Sequence, residues 1–214
     1  MPWPMVHFAI VERLYKHEPS PEFILGSLAP DAIHVREQAT REDKNRTHLG
    51  NADGSMPTLL TFSNFCAANL NQSDEKGWKE FVLGYITHVY TDLRWTETVW
   101  EDYTRKIKQS IASHEPIKDR YNLEVCQIDC DLYKKEEWTG KILSLLNESR
   151  AYSIADLLDD NEISLYRDRT IQWLRDDNNN PHIQPLYITV ESVTAFIIRT
   201  TEELDPLIKE WEHV

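Results

Sequence analysis

Residues 81–95 read FVLGYITHVYTDLRW. Phe81, Val82, Tyr85, Ile86, Val89, Tyr90 and Leu93 recur at i, i+3/i+4 spacing, which predicts a helix packed into a core. His88 and Asp92 stand four residues apart in the same run, so they project from one face a turn apart. An Asp that faces a core must be paired, hydrogen-bonded or bound to metal. Two ligands one turn apart suit a divalent ion. A His–Asp hydrogen bond inside the core is the plain alternative, and this pair alone leaves both open.

Working outward, the same period recurs. Trp3 to Lys16 carries apolar residues at 3, 6, 10 and 14, with Pro4 acceptable in a first turn. Ser20-Pro21-Glu22 reads as a helix start, followed by the short apolar FILGSL and then Ala29-Pro30-Asp31. Residues 35 to 57 are polar and read as a long loop, a length that is usually functional or disordered. Helices are expected over 58 to 70, 97 to 112, the stretch holding Tyr121, Val125, Ile128 and Leu132, and then 138 to 146, 153 to 158 and 161 to 174. The polar break DDNNNPHIQP (176 to 185) precedes a last helix marked by Val190, Val193, Phe196 and Ile197. Asp205-Pro206 is expected to restart a short terminal helix. With only 6 glycines among 214 residues, tight hairpins are scarce, and the whole chain reads as one all-α domain, a multi-helix bundle over 1–214 with a metal site between helices.

Charge narrows the function. Lys+Arg is 23 and Asp+Glu is 36, a formal net charge of −13. Such an excess works against long nucleic acid and against stable anchoring on anionic lipid. It permits carboxylates gathered around a cation. No run of 18 apolar residues exists, and MPWPMVHFAIVERLYKHEPS has no basic n-region and is interrupted by His7 and Glu12, so neither a transmembrane helix nor a secretory signal is expected. Cys66, Cys126 and Cys130 are too few for a disulfide framework, and the expected location is cytoplasmic. Cys126 and Cys130 share a helix face but lack a second Cys/His pair nearby, so core packing is the better reading. The seven tryptophans are scattered, as core and interface residues are.

Other candidate ligands are weaker singly. His7 lies between Val6 and Phe8, Asp31 follows Pro30 with His34 three residues on, and His48 sits in the polar loop. A satisfied core histidine, an N-cap Asp and a solvated loop histidine are their ordinary readings. Taken in order, HFAI, LGSLAPDAIH, RTHLG and LGYITHVYTD form a series. That series resembles the zinc-dependent phospholipase C / S1–P1 nuclease family over about residues 5 to 95; the second half is matched only by its helicity and a segment such as YNLEVCQIDCDLY.

The resemblance implies that His7, Asp31, His48, His88 and Asp92 are metal ligands. Asp92 would bridge two ions, one also held by His7 and the other by Asp31, His48 and His88. Zinc, one or two ions, suits imidazole and carboxylate ligands, and iron or manganese also fits. The sequence departs from the family in two places. Better-known members use an N-terminal Trp amine as a ligand, whereas Trp3 here follows Met1-Pro2. They also supply two further histidines and a carboxylate for a third ion, whereas His114, His182 and His213 lack that spacing. Asp129 and His34 are the candidates for rebuilding that third site, and Asp129 can equally orient a ligand histidine or pair with a base at the core boundary.

The expected chemistry is metal-dependent hydrolysis of a small phosphoester, most naturally a phosphodiester, with Asp31 also orienting or deprotonating the water. Arg36, Arg41, Lys44 and Arg46 lie near enough in sequence to contact a phosphate if their loop folds over the ions. An HD-type phosphohydrolase ranks lower because the chain has no adjacent His-Asp pair. A non-enzymatic helical protein with a structural metal site is the alternative from another class. Oligomeric state is not written in the pattern.

Overall fold

Helix α5, Lys76–Trp95, is the axis of the molecule. The sequence predicts one apolar stripe, yet every residue from Phe81 to Asp92 is buried, so other elements surround the helix on all sides. The computed structural model describes residues 1–16, 18–109 and 116–213. Around α5 lie α1 (Pro4–Leu14), α2 (Pro21–Gly26), a 3-10 turn (Ala29–Val35), α3 (Arg41–Thr47) and α4 (Leu59–Leu70). After α5, a π-helical turn at Thr96–Trp100 leads into α6 (Glu101–Gln109), then α7 (Ile117–Lys135), α8 (Thr139–Glu148), α9 (Asp160–Arg175) and α10 (Val190–Trp211). The all-α expectation holds: among the described residues there are ten α-helices and no strand, packed around one continuous core.

Two glycines set the crossing that matters most. A Cβ at Gly84 would stand 2.2 Å from the Phe23 carbonyl oxygen, and one at Gly26 would stand 2.1 Å from that of Phe81. Helices α2 and α5 therefore touch backbone to backbone, and only glycine permits it. On the far side, buried Glu124 of α7 accepts hydrogen bonds from the backbone N–H of Leu186, Tyr187 and Ile188 at 3.1, 2.9 and 2.9 Å. Arg120 supplies its counter-charge at 2.8 Å. These bonds satisfy a carboxylate that burial would otherwise make costly, and they fix the extended segment leading to α10.

The structure corrects four sequence expectations. The polar stretch 35 to 57 contains α3, started by a Thr40/Asp43 capping box and lacking the apolar period that would have revealed it. Residues 153 to 158 form a tight turn, with Ile154 and Leu158 exchanging backbone hydrogen bonds at 2.9 and 3.1 Å and Asp156 at φ 61°. The helix expected from 97 begins as the π turn; its expected end, 110–112, lies outside the described residues, as does His114. Pro206 does not restart a helix but sits inside unbroken α10. An interior proline costs ~3 kcal/mol. Burial of Leu204 before it and of Ile208 and Trp211 after it, at ~1.5–3 kcal/mol each, outweighs it.

Candidate metal centre

His7, Asp31, His48, His88 and Asp92 come from four separate parts of the chain and converge. Gly26 and Gly84 bring the end of α2 onto α5, so that His88 Nδ1 meets the Ser27 carbonyl at 2.8 Å. A carbonyl only accepts, so Nδ1 carries the hydrogen and Nε2 presents its lone pair. His48 follows α3, and its Nδ1 lies 2.9 Å from the Lys44 carbonyl, which frees its Nε2 in the same way. Tyr85 of α5 donates to the Thr47 carbonyl and ties the His48 segment to the central helix. His7 reaches in from α1, its ring stacked on that of His88 with centroids 4.0 Å apart and planes 3° apart.

The distances have a pattern. Asp92 Oδ1 faces His7 Nε2 at 3.6 Å, while Asp92 Oδ2 faces His48 Nε2 at 3.3 Å and His88 Nε2 at 3.6 Å. Asp31 Oδ1 lies 3.4 Å from His48 Nε2. These are long for hydrogen bonds, which cluster at ~2.7–3.2 Å. A tetrahedral ion with ligands at ~2.0–2.1 Å sets neighbouring ligand atoms roughly 3.3–3.5 Å apart. Two sets, His7–His88–Asp92 and Asp31–His48–His88, each offer three ligand atoms within 4.8 Å of one another. With Nδ1 committed to Ser27, His88 can serve one position, not both. The two oxygens of Asp92 point to the two positions, as a bridging carboxylate does.

Unmet bonding potential concentrates at the same place. Eight buried side-chain N and O atoms lack a hydrogen-bond partner among the described residues, and six of them belong to His7, His48, His88 and Asp92. His7 is 2% exposed with neither ring nitrogen satisfied. Leaving such groups empty costs ~1–3 kcal/mol each. Burial, reinforced by the nearby His88 ring, pushes His7 down to about 3, so its imidazole is neutral and its lone pair available. Burial opposes the charged form of His48, but the Asp31 and Asp92 carboxylates outweigh it and raise this group to about 9. Burial would raise the Asp92 carboxyl, yet His88 and His48 hold it below the usual carboxylate range. The protein thus gathers two carboxylates that demand a cation beside the neutral His7 imidazole and two further ring nitrogens, and this donor set fits a divalent ion.

Other expected residues fall nearby or elsewhere. His34 is half exposed with Nε2 3.5 Å from Asp31 Oδ1, outside both ligand sets. Asp129 does not join the group. It accepts the Met5 N–H at 2.7 Å and so caps the first turn of α1, the helix that carries His7. Burial nevertheless pushes its carboxyl up to about 8. Trp3 meets Trp173 edge-on at 5.0 Å and belongs to neither candidate ligand set. Of the four loop cations, Arg36 pairs with Glu162 and Arg46 bonds the Asp156 carbonyl. Lys44 is at the site, with Nζ 3.1 Å from Asp31 Oδ1 and 2.9 Å from His34 Nε2, and Arg41 lines the cavity that reaches His48 and Asp92. Burial works against the Asp31 carboxylate, but Lys44, His34 and His48 keep it well below its ordinary range. Cys126 and Cys130 are buried free thiols, the former donating to the Asn179 carbonyl at 3.3 Å.

Two cavities reach the candidate ligands. One, of about 460 Å³, has Asp31, His34 and Lys44 at one end and is walled by Trp3, Tyr121, Tyr166 and Trp173. The other, of about 190 Å³, reaches His48 and Asp92 past Arg41 and Met56. The aromatic wall on α9 was not read from the sequence, although Tyr166, Arg169, Thr170 and Trp173 stand at i, i+3, i+4 and i+7 on one helix face. Among the described residues no helix is long and apolar enough to cross a membrane. No protein-family model, curated protein or solved structure matches this chain.

Proposed function

We propose that this protein is a metal-dependent hydrolase of small phosphoesters, with phosphodiesters the favoured class and one or two zinc ions the favoured cofactor. What supports the reading is the convergence of five His and Asp side chains whose facing atoms stand 3.3–3.6 Å apart, most of them without other partners. The resemblance of HFAI, LGSLAPDAIH, RTHLG and LGYITHVYTD to zinc-dependent phospholipase C and S1–P1 nucleases supports the same chemistry. His88, His48, Asp31 and Asp92 would hold one ion; His7 and the second Asp92 oxygen would contribute to another.

A bound divalent ion makes a coordinated water acidic near neutral pH and draws charge from phosphoryl oxygens. The chain's own groups arrange the rest. Asp31 lines the larger cavity and orients a water by accepting its hydrogen. His34 beside it, half exposed, passes a proton outward. Lys44 borders both cavities, and its ammonium is placed to meet a phosphoryl oxygen. Buried free thiols favour a reducing compartment, consistent with the cytoplasm.

Near-complete burial of His7, His88 and Asp92 favours a second reading, a structural ion that fastens α1 to α5. Zinc-loaded protein assayed on bis(4-nitrophenyl) phosphate separates the two. Hydrolysis that disappears with chelation and returns with zinc supports the enzyme. Thermal stabilisation by zinc without turnover supports the structural ion.

A further inference from the structure

The 460 Å³ cavity falls within the ~300–1,000 Å³ of small-molecule sites. Its charge is unlike that of the whole protein. In a chain with 36 acidic residues, Asp31, itself a candidate metal ligand, is the only carboxylate among the described residues that line this cavity. The cavity carries two permanent cations, Lys44 at the metal end and Arg169.

Arg167, two residues before Arg169 on α9, is held by Asp168. Arg169 is exposed and has no hydrogen-bond or ion-pair partner among the described residues. Its position along α9 is set by the residues around it. Helix α9 packs against the 3-10 turn that carries Asp31, and Tyr166 lines the cavity together with Asp31, His34 and Lys44. Arg169 lies one turn, roughly 5 Å, further along, and Trp173 beyond it packs against Trp3. A ligand with phosphate at the ions therefore lies along aromatic faces and brings its other end to a free guanidinium.

We propose that Arg169 is a second anion subsite, so that the substrate is a small phosphoester with a flat, apolar body and a carboxylate or second phosphate at its far end. This rests on the hydrolase reading above and adds the substrate class. Aromatic walls also suit quaternary ammonium groups. Lys44 and Arg169 disfavour such a group here, because like charges in one small cavity repel.

The test uses non-hydrolysable probes and reads binding. Phenylphosphonate, 4-carboxyphenylphosphonate and 4-(trimethylammonio)phenylphosphonate are titrated calorimetrically into zinc-loaded wild type, Arg169→Gln and Arg169→Lys. Wild type is expected to bind the carboxylated probe about tenfold tighter than phenylphosphonate. Arg169→Gln should abolish that preference while zinc affinity and phenylphosphonate affinity stay unchanged, and Arg169→Lys should keep part of it. Equal binding of both probes by wild type, equal weakening of both in Arg169→Gln, or tightest binding of the ammonium probe overturns the subsite. If no phosphonate binds the zinc-loaded protein, the hydrolase reading itself fails and takes the subsite with it.

Discussion

Asp92 Oδ2 lies 3.3 Å from His48 Nε2, and neither atom has a hydrogen-bond partner among the described residues. The two residues arrive from different elements, α5 and the end of α3. Two buried polar atoms held this close, yet unbonded, behave as ligands arranged for a third body between them.

His88 is the candidate ligand whose removal should be most damaging. Its Nδ1 is fixed by Ser27 and its Nε2 faces both candidate positions. His88→Ala and His88→Gln should each weaken zinc binding by at least about a hundredfold, since even supporting groups outside the ligand set cost 10–100-fold. Competition against a chromophoric zinc chelator measures the loss; wild-type affinity in both variants would exclude His88 as a ligand.

Gly84→Ala should act through the backbone. The added methyl would press on the Phe23 carbonyl at 2.2 Å, forcing α2 away from α5 and carrying the Ser27 carbonyl from His88. A loss of roughly 1–3 kcal/mol or more is expected in urea denaturation of the metal-free protein, together with weaker zinc binding. Unchanged stability would show that the two helices have room to spare.

Lys44→Met separates binding from turnover. The ammonium competes with a metal for Asp31, at 3.1 Å, so its removal should leave zinc affinity equal or higher. Turnover of a phosphodiester should fall about a hundredfold because a charge aimed at the phosphoryl group is gone. Parallel loss of zinc would instead make Lys44 a structural support.

Much of this candidate centre is legible in the sequence because helical periodicity is strong where the candidate ligands sit. His88-x-x-x-Asp92 is embedded in seven apolar residues of one stripe, and Asp31 and His48 follow recognisable strings. Helix α3 was hidden because REDKNRT carries no apolar period; its Thr40 cap is its only local mark. The role of Asp129 was hidden for another reason: a carboxylate near an apolar face looks alike whether it meets a metal or a distant helix N-terminus. The meeting of Lys44 with Asp31, and of α9 with the 3-10 turn, depends on tertiary packing that no local pattern encodes.

Asp129 gives the fold a pH dependence with a defined sign. Its carboxyl is raised in the folded state to about 8, so the folded protein binds more protons than the unfolded one between about pH 4 and 8. The stability contributed by the neutral carboxyl is complete below about pH 4 and is lost as pH rises through about 8, at a slope of at most about 1.4 kcal/mol per pH unit. Asp129→Asn keeps an acceptor for the Met5 N–H and cannot ionise, so it should gain on wild type steadily from pH 5 to 8 in chemical denaturation. A stability difference flat across that range would show that Asp129 is not raised.

The most direct measurement is the metal content of the protein itself. Purified chain is stripped with chelator, incubated with excess zinc, desalted and analysed by atomic emission alongside His88→Ala and Asp92→Asn. The converging ligands predict about one to two zinc ions per chain in wild type and a clear loss in both variants. Fewer than about 0.2 ions per wild-type chain would contradict the metal centre and, with it, the chemistry built on it.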